Sequence, residues 1–221
     1  MGDWEQFVGE ITWFVPPGEP VEIGDEPRPW FRGPVKELPV LSQLLAGSTL
    51  TAVTVAGRSY ELLAWGPSDN RRGWLCLPTA PASVDRLDPR HQDFLSVCGG
   101  IVERFGEPDS WWSNQDEILT ETAARTALAP MLDAYSWLWL DDGLEVPIDA
   151  SEFYVVAVEA NGNLTLVHRE TSQLLLFAPD HAFQGVTPLP GCPEYSLMTL
   201  DRTPDLRTWI EDVAEAWADA S

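Results

Sequence analysis

The chain is short of positive charge. Its 221 residues hold 13 Lys and Arg against 35 Asp and Glu, a formal net charge of -22. A surface that binds nucleic acid or an anionic membrane needs Lys and Arg to match phosphates and release counterions. Basic residues this sparse argue against both partners. Only Arg71 and Arg72 are adjacent, in a polar Pro-Ser-Asp-Asn segment that reads as a solvated loop. Cysteine is equally scarce. Cys76, Cys98 and Cys192 are far apart, odd in number and without a CxxC pair, which fits free, mostly buried thiols in a reducing compartment. No apolar run approaches the roughly 18 residues of a membrane helix; the longest, such as Leu174 to Ala178, are strand-sized. The acidic opening Met1-Gly2-Asp3-Trp4-Glu5 lacks the basic start and apolar stretch of a signal peptide. The expected setting is cytoplasmic.

Catalytic signatures are missing too. There is no G-x-S-x-G, H-E-x-x-H, Walker A or Rossmann glycine pattern. His91, His168 and His181 fall in different predicted elements. Paired carboxylates are common, as in Asp141-Asp142, Glu211-Asp212 and Glu145 with Asp149. A chain this acidic produces such pairs without the defined separation that glycoside hydrolysis requires. Asp141-Asp142-Gly143 also lacks the alternating ligand spacing of a calcium loop. The expectation is a binding protein rather than an enzyme, with no catalytic residue, cofactor or metal.

Apolar residues are plentiful. They make up 44% of the chain, including 11 Trp, which is too rich for a disordered acidic segment and enough to build a core without disulfides. The charge is uneven. Residues 1–110 carry 16 acidic and 9 basic residues, and residues 111–221 carry 19 and 4, so the second half holds a net of -15. Such a field attracts basic proteins or cations, though it also serves solubility.

Periodicity places the elements. Ile11 to Val15 reads as a strand, and residues 16–39, rich in Pro, Gly and acids, as loop or edge. Leu38, Leu41, Leu44 and Leu45 recur at helical spacing, with Pro39 suited to the first turn and Gly47 to the stop. Thr51–Val55 and Ser59–Trp65 form a hairpin, and Trp74–Leu77 a further strand. Asp88 is a helix cap with Pro89 first in the helix, and Gly99-Gly100 ends that unit. Ser113 to Glu117 opens another helix that continues toward Pro130, and Tyr135 to Leu140 alternates like a strand. Glu152–Glu159, Asn163–Arg169 and Gln173–Phe177 form an antiparallel meander, with Asn161-Gly162 as its first turn. The last helix is capped by Thr203, starts at Pro204 and carries the stripe Leu206, Trp209, Ile210, Val213 and Trp217, which should cross one face of the sheet. The fold class is α+β, an antiparallel meander packed against helices. A new unit begins near residue 80, so that residues 1–80 form an N-terminal extension with a β-hairpin and residues 81–221 the core.

The run Leu87-Asp88-Pro89-Arg90-His91-Gln92-Asp93-Phe94-Leu95, closed by Gly99-Gly100, resembles the helix and glycine pair that open the core of SMI1/KNR4-like proteins, the SUKH superfamily. The meander from Phe153 to Phe177 and the closing helix from Thr203 to Trp217 are similar to the rest of that core, and Ala182-Phe183 stands near its strand-to-helix transition. Where the family usually has Leu-Pro before the helix aromatic, this chain has Leu87-Asp88-Pro89. The resemblance spans residues 84–217 and implies a SUKH-like core. It also implies an immunity protein that binds and neutralises a co-encoded toxin, often a nuclease, and it brings no catalytic residues.

The candidate partner-binding residues are Trp111, Trp112, Asp141, Asp142, Glu145 and Asp180. Trp111-Trp112 sits between Pro108-Asp109-Ser110 and a predicted helix start, where an indole ringed by acids would anchor an interface or else cover a helix–sheet junction. Asp180-His181 reads as a turn after Pro179; Trp137 and Trp139 read as core or sheet-face residues, and Trp209 and Trp217 as core. The leading expectation is a monomeric inhibitor of a basic toxin. The alternatives are a general protein-interaction scaffold, a small hydrolase with a carboxylate site, and a mimic of phosphate spacing.

Overall fold

Apolar side chains alternate along successive strands and give one antiparallel sheet two buried faces. The computed structural model describes residues 2–68, 70–80, 83–108, 115–180 and 184–219. The chain opens with α1 (Asp3–Glu10), then β1 (Val21–Ile23), β2 (Arg28–Pro29) and α2 (Pro39–Ala46). A hairpin of β3 (Thr49–Val55) and β4 (Arg58–Trp65) leads to β5 (Arg72–Cys76), α3 (Pro89–Leu95) and β6 (Ile101–Phe105). After β7 (Gln115–Ile118) come three short helices, α4 (Glu121–Ala124), α5 (Leu128–Ala134) and α6 (Trp137–Leu140). The meander is β8 (Phe153–Glu159), β9 (Leu164–His168) and β10 (Leu174–Phe177); β11 (Val186–Pro188), β12 (Leu197–Leu200) and α7 (Leu206–Asp219) complete the chain.

The strands pair in the order β1-β3-β4-β5-β6-β7-β8-β9-β10-β12-β11, with β2 also alongside β3. All of the pairings are antiparallel, which establishes the expected α+β class with a meander and helices. In β4, Leu63 and Trp65 face one core while Tyr60, Leu62 and Ala64 face another. In β8, Tyr154 and Val156 face the first core while Phe153 and Val155 face a third. Thus α2, α3 and α7 cover one side of the whole sheet. On the other side α1 covers the first half and α5 and α6 the second. The first core draws on residues from Val35 to Trp217, so residues before and after position 80 share it.

Several predicted elements hold. Pro39 opens α2 and Gly47 follows it. Asp88 caps α3, accepting from Arg90 N at 2.7 Å. Leu206, Trp209, Ile210, Val213 and Trp217 are all buried in the core shared with the sheet. Gly99-Gly100 does not stop α3, which ends at Leu95 with Ser96 as its cap; the pair serves the sheet instead. A Cβ on Gly99 would strike the carbonyls of Leu77 and Pro78, and one on Gly100, at φ +104°, would strike Thr120. Only bare backbone fits between those strands.

Other expectations are corrected. Ile11 to Val15 is not a strand but the turn that ends α1, whose Trp4, Phe7 and Ile11 follow a helical stripe into the core. Gln115 to Ile118 is not helix; it inserts as β7 between β6 and β8, where pairing outweighs local propensity. Tyr135 to Leu140 is not a strand, for α6 winds through it. Pro204 does not begin the last helix. Leu174 N donates to its carbonyl and Asp205 bridges Gln173, so the chain is held extended there. Asp205 then takes the capping role, accepting from Thr208 N at 2.8 Å, while Thr203 donates to Asp212. Arg71 and Arg72 are not a solvated pair. Arg72 is buried in β5, and Arg71 grips Asp3 through Nε and Nη2 at 2.9 and 2.8 Å, fixing α1 to the sheet. That bond and charge hold the Asp3 carboxyl below its ordinary range.

Glu211 lies on the polar side of α7, yet it is not merely solvated. Its carboxylate accepts from Val40 N and Leu41 N at 3.0 and 3.1 Å and so caps α2, whose own flanking residue Leu38 has no side-chain oxygen to do so. Glu211→Ala is expected to lower stability by about 1–2 kcal/mol, with Glu211→Gln losing less because it keeps one acceptor. Urea denaturation checks this; equal midpoints for Glu211→Ala and the parent chain would refute the cap.

Candidate functional site

The site grows out of the corrected helix. Residues two apart on a helix lie about 200° apart, on opposite sides. Trp139 therefore turns inward, fully buried, and its Nε1 reaches Cys192 Sγ at 3.4 Å. Tyr135 meets Phe177 edge-on at 5.6 Å. Trp137 turns outward, 53% exposed, and Leu140, one turn on, is 66% exposed. Of the two indoles expected in the core or on a sheet face, only Trp139 is buried.

The chain leaves α6 through a well-defined stop. Gly143 N donates to Leu140 O and Leu144 N to Trp139 O, and Gly143 takes φ +69°. This pairing of bonds around a left-handed glycine is a Schellman motif, and Leu144 and Trp139 supply its apolar contact in one core. It sets the path of the chain that carries Asp141, Asp142 and Glu145, which follow the exposed Trp137 and Leu140 in sequence. All three acids are exposed and make no ion pair or side-chain hydrogen bond among the described residues. Carboxylates at a helix C-terminus face carbonyls of like sign, which costs stability rather than adding it. No basic residue in the last turn offsets them.

The other named residues stand elsewhere. Asp180 lies beyond β10, where its Oδ2 accepts from Asn161 Nδ2 at 2.9 Å and secures the β8–β9 turn. Trp111 and Trp112, with His181, Ala182 and Phe183, lie outside the described residues.

A second acidic surface was not legible in the sequence. Glu10, Trp13, Glu103, Arg104, Glu107 and Asp116 line an open cleft of about 460 Å³. Trp13 is 69% exposed and donates from Nε1 to Glu103 at 3.2 Å. Glu10 accepts from Gly106 N through both oxygens, and Arg104 Nε donates to Glu107 at 2.7 Å. Burial pushes the Glu107 carboxyl up; Arg104 opposes this, and the charges of Glu103 and Glu10 add to it. These residues come from α1 and the turn after it, from β6 and the turn that follows it, and from β7, so no local motif announces them.

Asp88, His91, Tyr154 and Ser172 form a buried network that superficially suggests acid–base chemistry. His91 is fully buried, with Nε2 3.0 Å from Leu119 O and Nδ1 3.3 Å from the Tyr154 hydroxyl. Tyr154 also accepts from Asp88 N, and Ser172 donates to Asp88. Every polar end is engaged, and the network ties the start of α3 to the meander. No group of three or more His, Cys, Asp or Glu among the described residues is arranged to hold a metal. No described helix is long and apolar enough to cross a membrane.

The chain matches no protein-family model, no curated protein and no solved structure.

Burial pulls the His91 pKa from 6.5 down to about 4, against opposing contributions from the Leu119 carbonyl and from Asp88 and Glu121. Above pH 6.5 both folded and unfolded chains carry it neutral. As pH falls from 6.5 toward 4 the unfolded chain takes up a proton that the folded one refuses, so stability is lost, by about 3 kcal/mol at most. Urea midpoints across that window should fall more steeply for the parent chain than for His91→Gln. Equal slopes would show that His91 is not buried neutral.

Proposed function

We propose that the protein is an immunity-type inhibitor, similar in layout to SMI1/KNR4-like (SUKH) proteins, that binds a basic toxin such as a nuclease inside the cell and performs no catalysis of its own. The observation that carries this reading is the apex of α6, where Trp137 and Leu140 stand exposed among Asp141, Asp142 and Glu145. Burying an exposed indole and a leucine against a partner removes apolar surface from water, and Trp is the commonest interface anchor. The surrounding carboxylates would steer a basic partner and fix its orientation. A cationic side chain there also relieves the repulsion between the acids and the helix end. The cleft at Trp13 fits the same role. Three of its carboxylates are committed to Gly106, to the Trp13 indole and Arg104 backbone, and to the Arg104 guanidinium, which suits a holding surface better than proton transfer.

That cleft favours one other reading, a general interaction scaffold whose two acidic surfaces take cationic side chains from more than one protein. The test is co-expression with the products of neighbouring genes, followed by binding kinetics with any toxin neutralised. Trp137→Ala should weaken binding by about 30-fold or more. The double variant Asp141→Asn with Asp142→Asn should slow association by about tenfold at low salt, with the difference fading by about 0.5 M salt as screening shortens the field. Absence of both binding and protection across those gene products would reject the inhibitor reading. Partners that bind without any protection would support the scaffold.

A further inference from the structure

We infer that Cys76 and Cys98 are a redox couple, which a hydroperoxide converts to a disulfide that ties the chain entering β6 to the end of β5. The two cysteines are distant in sequence, but the fold brings their neighbourhoods together. Leu77 N donates to Gly100 O at 2.9 Å, and Gly99 N donates to Leu77 O at 3.0 Å. Cys76 and Cys98 flank that joint, are both buried, and point into the same core. Cys98 stands near enough to Cys76 to help raise its pKa.

One cation serves both. Arg32 Nη1 donates to Glu61 at 2.8 Å and to the Val97 carbonyl at 2.6 Å. Glu61 is the direct partner of Cys76 across the β4–β5 ladder, and Val97 precedes Cys98. The guanidinium thus joins the backbone next to one cysteine to the cross-strand partner of the other, and its charge opposes the rise at Cys76. It is also how solvent comes near. The Arg32 and Glu61 side chains are each 15% exposed, and Arg32 belongs to the mostly exposed segment between β2 and α2. Opening that ion pair uncovers the thiols without unfolding the sheet.

Burial first, then the nearby Cys98, push the Cys76 thiol well above its ordinary value. Cys98, which lies in the chain entering β6 rather than within a strand, is assigned the first attack. Its thiolate displaces hydroxide from the peroxide, forming an S–O bond as the O–O bond breaks and giving a sulfenic acid. The Cys76 sulfur then attacks that sulfur. The S–S bond forms, the S–O bond breaks, and the departing hydroxide takes the Cys76 proton to leave as water. Two thiols lose two electrons and two protons; one peroxide becomes two waters. The loop so closed carries α3, and restricting it in the unfolded chain stabilises the fold.

Brief treatment of the folded protein with hydrogen peroxide tests this. Alkylation after denaturation should then find one thiol where the reduced chain has three, and the intact mass should fall by two hydrogens. Peptide mapping should join the Cys76 and Cys98 peptides, and the melting midpoint should rise by about 5–10 °C and return on reduction. Cys192→Ser should behave in the same way, passing from two alkylatable thiols to none while remaining monomeric. Cys98→Ser should lose the link. If that variant fails to fold, the Cys192→Ser result decides alone. The inference is overturned if Cys76 and Cys98 both remain alkylatable when Cys192 has oxidised, if links form only between molecules, or if Cys98 accumulates as sulfinic acid with no bridge.

Discussion

Among the described residues one pair, Ile101 with Ile118, sets the register between β6 and β7, and the burial of α7 joins the two halves into one body. The helix begins at the second half, where Leu206 N donates to Ser172 O just before β10. It ends at the first half, where Trp217 meets Trp65 and Trp74 edge-on at 5.6 and 5.8 Å. The dimensions agree. Fourteen residues span about 21 Å at 1.5 Å each, and the five strand spacings from β10 to β5 span about 24 Å. Glu211, midway along, fastens α2 to this bridge. With one face of the sheet closed in this way, α5 and α6 have a rigid opposite face to pack on, and the exposed apex of α6 inherits that rigidity.

Rigidity matters for what the apex can do. A binding anchor contributes most when its rotamers and backbone are set before the partner arrives. Trp139 locks the inner side of α6 into the core, and the glycine stop at Gly143 fixes the outgoing chain. Trp137 and Leu140 are thereby presented rather than loosely exposed. The acids beside them do not stabilise the helix end; under the proposed function they would attract the basic partner. The second half presents exposed carboxylates here, and residues mostly of the first half form the acidic cleft at Trp13.

Local chemistry was legible where it decided the structure by itself. Asp88-Pro89 at α3, Pro39 at α2, the Asn161-Gly162 turn and the α7 stripe each carry their own capping, turn or periodic signal, and each was read correctly. Errors arose where distant residues decide. Gln115 to Ile118 has the polar opening of a helix, but the gap between β6 and β8 makes it a strand. Trp137 and Trp139 alternate as in a strand, and that spacing cannot tell two residues on one face from two on opposite sides of a single turn. Glu211 looks like a surface acid because its partners, Val40 N and Leu41 N, are far away in sequence. For the candidate site, Asp141, Asp142 and Glu145 were named from sequence, but their apolar centre, Trp137 with Leu140, was not. The Trp13 cleft was invisible because four separate segments build it.

Under the proposed function the α6 apex is a preformed docking surface for a basic protein. Amide hydrogen exchange of the chain, free and bound to a neutralised toxin, tests it most directly. Slowed exchange concentrated at residues 137–146, with the sheet unchanged, is the predicted result. Unchanged exchange across residues 137–146, with protection confined to another surface, would contradict it.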